Sequence, residues 1–572
     1  MSGQPGIRFF AREVLRAAPA PIVTYVALSA VGGLSPFAQV VALRILLERA
    51  LHGGHPAVGS FILPLALLTG SYLVSEGVSL GVASLSTYLN SRLTTRLGQR
   101  VLQSGQELSL AELDQGVVHD QMRRALDESR YRPIQLISQI SSLIQATVSV
   151  VSIFALLLRI SSLVAIMILI SPIPVLIGQL LAGRLSYKVE NETAKYRRML
   201  DYFIQLASDK AAVRDMRVLG AADFFVTTFF STAQTLWRWQ GRLLRQNVLL
   251  YLPLMLLSLS LTLGAQIVAV ASAIHGDQPA NAVTVVQSII MLTVAFEALT
   301  GAVAGVAIGL RFGRDFSAFA LRPPSASHWG TCPFPPRLAA GIQLDGVTFS
   351  YPNSTVANLT VDSLTLPPTG IVIVSGPNGA GKSTFCKILL GLYAPDSGQL
   401  LVDGLPLAEY SESSARAWMS AAFQDFSMFH LSIRHNLCMG SGEAVRMTDP
   451  QLLENLAEVG LSEFVQSLPD GLDSALGGRF GDGIDLSMGQ WQRLALARVI
   501  VRRPAIVVLD EPWAFQDPAA DVLLRQTVER MARSSLVIIV THRPLITSLE
   551  TVHIEVLDGK AARIMRGQEV IA

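Results

Sequence analysis

The sequence predicts two structural classes in one chain: an α-helical membrane domain over residues 1–320 and an α/β domain over 339–572. The membrane domain is expected to have six transmembrane helices with long cytoplasmic extensions. Composition gives the first argument. Of 572 residues, 50% are hydrophobic and only 15% are charged, against roughly 25% charged in a soluble domain, and the mean hydropathy is +0.43. The second argument is placement. Apolar runs near 21–47, 61–86, 134–158, 163–183, 248–274 and 282–310 are each long enough to cross roughly 30 Å of hydrocarbon as a helix. Beyond residue 340 the runs shorten to β-rich stretches, IVIVS at 371–375, IVVLD at 506–510 and LVIIVT at 536–541. They alternate with helical segments, the pattern of a mostly parallel sheet.

The connections between spans are unequal. Segments 87–133 and 184–247 are long and polar, with few Gly or Pro, so the flanking helices are expected to run on through them. The first carries Arg92, Arg96, Arg100, Arg123, Arg124, Arg130 and Arg132, and the second eleven Lys or Arg between Arg184 and Arg245. The short turns near 48–60, 159–162 and 275–281 hold only Arg49 and Arg159. By the positive-inside rule the long connections, the N-terminus and the C-terminal domain are cytoplasmic. No small-residue cleavage site follows the basic N-terminus, so no cleaved signal peptide is read. Five prolines in residues 321–338 mark an extended linker. The three cysteines, Cys332, Cys386 and Cys438, form no paired framework and fit a reducing compartment. A net charge of +2 gives no field for a nucleic-acid partner. Only six of the 45 basic residues are Lys, a bias that points to a GC-rich bacterial source.

Chemistry concentrates in the second domain. GPNGAGKST comprises Gly376, Pro377, Asn378, Gly379, Ala380, Gly381, Lys382, Ser383 and Thr384. It follows a strand and opens a helix, the context a phosphate loop requires. The glycines let backbone N–H groups turn onto phosphate oxygens beside a helix N-terminus. Lys382 would reach the β- and γ-phosphates of ATP, and Ser383 would ligate Mg2+. Asp510 ends the apolar strand IVVLD, where ligands sit in open α/β sheets. It is suited to hold Mg2+, and Glu511 to polarise the attacking water. An acidic pair that merely caps a strand is the plainer alternative, and the phosphate loop upstream argues against it.

Residues 486–493, LSMGQWQR, followed by LALAR and RRPAIVVLDEP, resemble the signature of ATP-binding cassette (ABC) proteins. The resemblance implies that Ser487 and Gly489 hold the γ-phosphate of ATP bound to an opposite subunit, with Gln490 also among the nucleotide-binding residues. It further implies that Tyr351 stacks on adenine, that Gln424 senses Mg2+ and water, that Asp517 belongs to the D-loop, and that His542 contacts the γ-phosphate. Glu511, His542 and Gln424 would then be catalytic, with Ser383, Gln424 and Asp510 at the metal. Six spans with two long connections and a C-terminal ATPase resemble an ABC exporter half-transporter over nearly the whole chain. Short coupling helices near 112–122 and 211–221 would dock on the ATPase, where the segment 477–483 is placed to touch them.

The resemblance departs at Met488, where Gly is usual, and at Ala514-Phe515-Gln516-Asp517, where Ser-Ala-Leu-Asp is common. A homodimer is the expected assembly because Ser487 and Gly489 survive; a related half-transporter is the alternative partner. GRFGDGIDLSMGQWQ and DEPWAFQDP look like peptide exporters of the lantibiotic and cyclic-peptide kinds. No peptidase region precedes the first span, so leader cleavage is not expected. Glu76 and Glu297 lie midway along the second and sixth spans. Each is expected to face a cavity or a partner, since a charge at bilayer depth costs at least about 2.5–3.5 kcal/mol. Each either contributes to a substrate or proton site or merely lines a wet cavity. Gln145, Gln179, Gln266 and Gln287 are read as helix–helix hydrogen-bonding residues, with lining of the cavity as the alternative. The expected activity is ATP hydrolysis coupled to export of a peptide-like or amphipathic substrate across a bacterial inner membrane. An importer of exporter fold, a multidrug or lipid exporter, and a regulatory membrane ATPase remain open.

Overall fold

The computed structural model describes residues 4–51, 59–275, 279–322, 329–352, 354, 356–440, 447–478, 483–543, 547 and 549–564. Two compact units emerge, one of residues 1–106 and 121–322, the other of residues 107–120 and 323–572.

The first unit is helical. An amphipathic helix α1 (Gln4–Ala17) precedes α2 (Pro19–Leu51) and α3 (Gly59–Gln106). The short α4 (Leu110–Leu113), which belongs to the second unit, and α5 (Gly116–Glu128), which runs from the second unit into the first, precede α6 (Arg132–Ile160), α7 (Ser162–Ile170), α8 (Ile173–Ser208), α9 (Lys210–Val218), α10 (Ala222–His275) and α11 (Pro279–Ala320). Among the described residues, six segments are long and apolar enough to cross a membrane: Pro19–Ala50, Gly59–Gln106, Arg132–Ile160, Ser162–Gly183, Ala222–Ala271 and Ala282–Ala320. They coincide with the six expected runs. The polar connections are helical, as anticipated, because α3, α8 and α10 continue well past their apolar stretches. The fourth span differs from the single expected helix. It breaks between α7 and α8 at Ser171-Pro172, where proline lacks the N–H an interior helical residue donates.

Packing inside this unit uses helical periodicity. Leu89, Leu93, Leu97 and Val101, each four residues on, form a fully buried stripe on α3. Gly305, Gly309 and Gly313 form a small-residue stripe on α11 that admits Gln139, Leu136 and Phe10, respectively. The Ser149 hydroxyl donates to the Gly33 carbonyl at 2.7 Å, joining α6 to α2. On α1, Phe10 packs edge-on against Phe312 and Phe316 of α11, while the buried Glu13 pairs with Arg96 at 3.0 Å. Apolar surface nevertheless remains abundant. Only 6% of the most apolar stretch of α3 is buried, so most of that helix needs lipid or another chain as its solvent. Glu76, Glu297 and Gln145 are on the exposed surface of the single chain, and Gln179, Gln266 and Gln287 are half-buried.

The second unit is built on one ten-stranded sheet. Its strands are β1 (Ile342–Phe349), β2 (Leu359–Leu366), β3 (Gly370–Ser375), β4 (Ser397–Val402), β5 (Leu405–Pro406), β6 (Met419–Ala422), β7 (Ile506–Asp510), β8 (Leu536–Val540), β9 (Thr551–Leu557) and β10 (Lys560–Ile564). They lie in the order β5-β4-β1-β2-β10-β9-β3-β8-β7-β6. The half from β9 to β6 is parallel, as the three apolar stretches predicted. Although more of the sheet's pairings are parallel than antiparallel, the half holding β1, β2, β4 and β5 is antiparallel, which the three apolar stretches did not signal. Its physical signature is the alternation of burial in β1 and β2, typical of antiparallel strands wet on one side.

The central strands are buried on both faces. Val372, Val374, Ile506, Val508, Leu536, Ile538 and Val540 point into one core, and Ile371, Ile373, Val507, Leu509, Val537 and Ile539 into the other. Each fully buried aliphatic side chain contributes roughly 1.5–3 kcal/mol, so these three strands are a rigid base for whatever leaves their ends. Around the sheet lie α12 (Lys382–Leu389), α13 (Glu412–Trp418), α14 (Ile433–Cys438), α15 (Asp449–Ala457), α16 (Ser462–Gln466), α17 (Met488–Ile500) and α18 (Pro518–Ala532). All three cysteines are free thiols. Burial pushes the Cys386 thiol far up, which leaves it inert.

Of the expected linker, residues 323–328 lie outside the described residues, as do residues 479–482 of the segment expected to touch the coupling helices. The region expected to hold the first coupling helix, residues 112–122, contains the end of α4 and the start of α5. Ser109 and Glu112 cap α4 reciprocally, and Ala111 packs on the sheet core. The Tyr393 hydroxyl donates to Asp114 Oδ2 at 2.5 Å. Burial, reinforced by that bond, drives the Tyr393 phenol well above its ordinary pKa. Tyr393→Phe is therefore expected to loosen residues 107–120 alone. Hydrogen exchange should rise several-fold there and stay unchanged in the phosphate loop.

Candidate functional site

Four adjacent parallel strands, β3, β8, β7 and β6, end at one edge of the sheet, and the phosphate loop, Gln424, Asp510 with Glu511, and His542 leave from those ends. From β3 the chain enters the loop through Gly376, Gly379 and Gly381, with φ of +141°, +80° and +104°. Gly376 is required twice over. Its φ lies in the left-handed region, and a Cβ there would meet the Val556 carbonyl oxygen at 2.1 Å. The loop runs into α12, and Lys382 folds back so that its ammonium donates to the carbonyls of Gly376 and Pro377 at 2.7 and 2.8 Å. Pro377, Asn378 and Gly379 are exposed on the outside of the turn, whereas Ala380 is buried.

Asp510 ends β7 and is 7% exposed. The Ser383 hydroxyl donates to its Oδ2 at 3.3 Å. Burial pushes the Asp510 carboxyl above its ordinary pKa, against the Ser383 bond, and the charges of Glu511 and Asp425 push the same way. A hydroxyl and a desolvated carboxylate side by side are hard oxygen donors, and they fit Mg2+. Gln424, two residues beyond β6, is exposed.

Glu511 has φ of +47°, a conformation that costs a non-glycine residue roughly 1–2 kcal/mol and marks a functional position. It is held at several points. Its N–H donates to the Val540 carbonyl at 2.9 Å, and its Oε1 accepts from the backbone N–H of His542 at 3.1 Å. The structure thus brings the Glu511 carboxylate onto the backbone of His542, whose side chain is exposed. Tyr351 is joined to the loop by a 3.1 Å bond between its hydroxyl and that of Thr384. Its ring is edge-on to Phe349 and Tyr393, with centroids 5.0 and 5.4 Å away.

The signature residues sit elsewhere, at the N-terminus of α17. Ser487 caps that helix reciprocally with Gln490. The cap satisfies the Ser487 and Gln490 N–H groups and leaves those of Met488 and Gly489 at the anion-favouring end of the helix. Met488 is exposed, so its side chain is not needed for packing. Gly489 is needed where it stands, since a Cβ would meet the Phe515 carbonyl at 2.6 Å. Asp517 caps α18, accepting from the Ala520 N–H at 2.8 Å. One participant was not anticipated. Gln492 is buried at 4% exposure and donates to the Glu511 carbonyl at 2.8 Å. A glutamine on the apolar face of a helix is the signal that could have found it.

These features define a class: a phosphate-loop nucleotide-binding domain joined to six helices able to cross a membrane. The comparisons carry it further. Residues 359–514 match the ABC transporter family. The subtilin transport ATP-binding protein of Bacillus subtilis is 23% identical over 471 residues, covering 81% of this chain and 76% of that protein. The nisin transport ATP-binding protein of Lactococcus lactis is 23% identical over 538 residues, 90% of this chain and 86% of its own length. An ATP-dependent lipid A-core flippase of Alkalilimnicola ehrlichii is 30% identical over 281 residues, covering 49% of this chain and 46% of the flippase. The structure of a bacterial Atm1-family ABC exporter with ATP bound superposes with a TM-score of 0.72 at 21% identity, over 96% of this chain and 94% of that one. The chain is a multi-pass membrane protein that carries an ABC transporter domain and has the fold of an ABC exporter.

Proposed function

We propose that two copies of this chain form an ATP-hydrolysing exporter of the bacterial inner membrane, with the ATPase on the cytoplasmic side. The observation that carries this reading is the convergence of the phosphate loop, Asp510, Glu511 and His542 on one sheet edge of a chain that also holds six apolar helices. In this mechanism Lys382 and the loop N–H groups hold the phosphates of ATP and Tyr351 its adenine. Ser383, Asp510 and Gln424 are the residues for Mg2+, which would neutralise charge developing on the phosphates. Glu511 takes the proton of the attacking water, and His542 contacts the γ-phosphate. Ser487, Gly489 and Gln490 complete the site of the opposite copy, with Asp517 beside them. Because ATP then bridges two copies only when they close, it binds the closed state better and can drive alternating access.

The substrate reading rests on two supports. The subtilin and nisin transport proteins resemble the chain over most of its length, whereas the flippase likeness covers under half of it. Glu76 and Glu297 add exposed carboxylates at mid-span, which suit a cationic, amphipathic peptide. In inside-out vesicles, ATP is expected to drive accumulation of such a peptide. Glu76→Gln with Glu297→Gln should cut that flux about tenfold or more, a loss of about 1.4 kcal/mol of substrate interaction, without lowering basal ATPase. Flux in the opposite direction would establish an importer, and hydrolysis without any flux a regulatory ATPase.

A further inference from the structure

The altered turn 514–517 and the signature helix are fastened together by two glutamine side chains, and the fastening ends on the backbone of Glu511. Gln492 Nε2 donates to the Glu511 carbonyl at 2.8 Å. Gln492 Oε1 accepts from Gln516 Nε2 at 2.7 Å and from the Phe515 N–H at 3.4 Å. Gln516 Nε2 also donates to the Gly489 carbonyl at 3.3 Å. Chemistry fixes both amide orientations. A carbonyl can be met only by the NH2 group, and a backbone N–H only by the amide oxygen. The pattern therefore needs an amide at 492 and a donor at 516. Gly489 lies so close to the Phe515 carbonyl that a Cβ there would meet it at 2.6 Å, so the two segments are in direct backbone contact.

We propose that Gln492 is a positioning residue for hydrolysis, with Gln516 as its brace. Together they hold Glu511 in its left-handed conformation and make the aim of its carboxylate depend on the signature helix and the 514–517 turn. Movement of either segment, each of which would face the second copy, is then transmitted to the base through one buried amide. The inference deepens the proposed function and rests on Glu511 being the base. It also gives the residue at 516 a role that a leucine could not perform, because leucine has no donor.

The test uses the full chain in lipid. In Gln492→Leu the Glu511 carbonyl loses its side-chain donor. In Gln516→Glu, isosteric and at a half-buried position, donor becomes acceptor and repels Gln492 Oε1. Each variant is expected to lower kcat per nucleotide-binding site about tenfold while KM for ATP stays within about twofold, the split expected when only the chemical step is touched. The double variant should be no slower than Gln492→Leu alone, since Gln516 acts through Gln492. A purely structural role would lower the number of binding sites and the melting temperature but leave kcat per site unchanged, and that result would overturn the proposal. Additive losses would overturn it as well. Glu511→Gln run alongside separates the two levels. Turnover in that variant overturns the base assignment, whereas an inactive Glu511→Gln beside a normal Gln492→Leu overturns only the clasp.

Discussion

Glu511→Gln is expected to stop turnover while ATP still binds. The substitution keeps the side chain's size and its oxygen, so the 3.1 Å bond from the His542 N–H has an acceptor as before. The backbone bonds from Glu511 to Val540 and from Gln492 do not involve the carboxylate, so the left-handed turn persists. Only the ability to accept a proton is lost. General-base groups contribute roughly 10²–10⁴-fold to rate, so kcat for phosphate release should fall about a thousandfold. Nucleotide affinity, read with a fluorescent ATP analogue, should stay within about threefold, because Lys382 and the loop are untouched. Residual hydrolysis within about tenfold of the parent would remove Glu511 from the role of base.

The parts of this site legible in the sequence were those where chemistry and local structure coincide. A phosphate loop must stand between a buried strand and a helix, so GPNGAGKST could be placed at the end of β3 from the letters alone. IVVLDE likewise could be placed because four apolar residues bury a strand and the acids must emerge at its end. The antiparallel half of the sheet escaped notice because β1 and β2 mix buried and exposed positions without a long apolar run. The break at Ser171-Pro172 escaped because the flanking residues stay apolar on both sides and hydropathy is blind to hydrogen bonding. Gln492 and Gln516 were read as members of motifs. Their pairing is a contact between residues 24 apart in sequence, set by how α17 lies against the turn before α18, and no local pattern encodes that distance. The same holds for Asp114 and Tyr393, 279 residues apart.

Lys382→Ala is the complementary experiment, in which binding fails rather than chemistry. Lys382 is 9% exposed, and its ammonium is held over the loop by the carbonyls of Gly376 and Pro377. A phosphate entering the loop therefore meets a cation already positioned and largely shielded from water, the setting in which a charge-assisted bond is strongest. Removing it should weaken ATP binding about a hundredfold or more, an effect of about 3 kcal/mol at roughly 1.4 kcal/mol per tenfold. The fold should tolerate the change, because the loop's left-handed glycines and the β3 strand beneath it do not depend on the ammonium. Lys382→Met, which keeps the apolar stem, controls for packing. Thermal unfolding gives the clean readout. Ligand that binds only the folded state raises its stability in proportion to occupancy, so ATP should raise the melting temperature of the parent and of Glu511→Gln but not of Lys382→Ala or Lys382→Met. If both lysine variants still show the full ATP-induced rise, phosphate is held by the backbone alone. If they melt early without ATP, Lys382 is instead a structural clamp on its own loop.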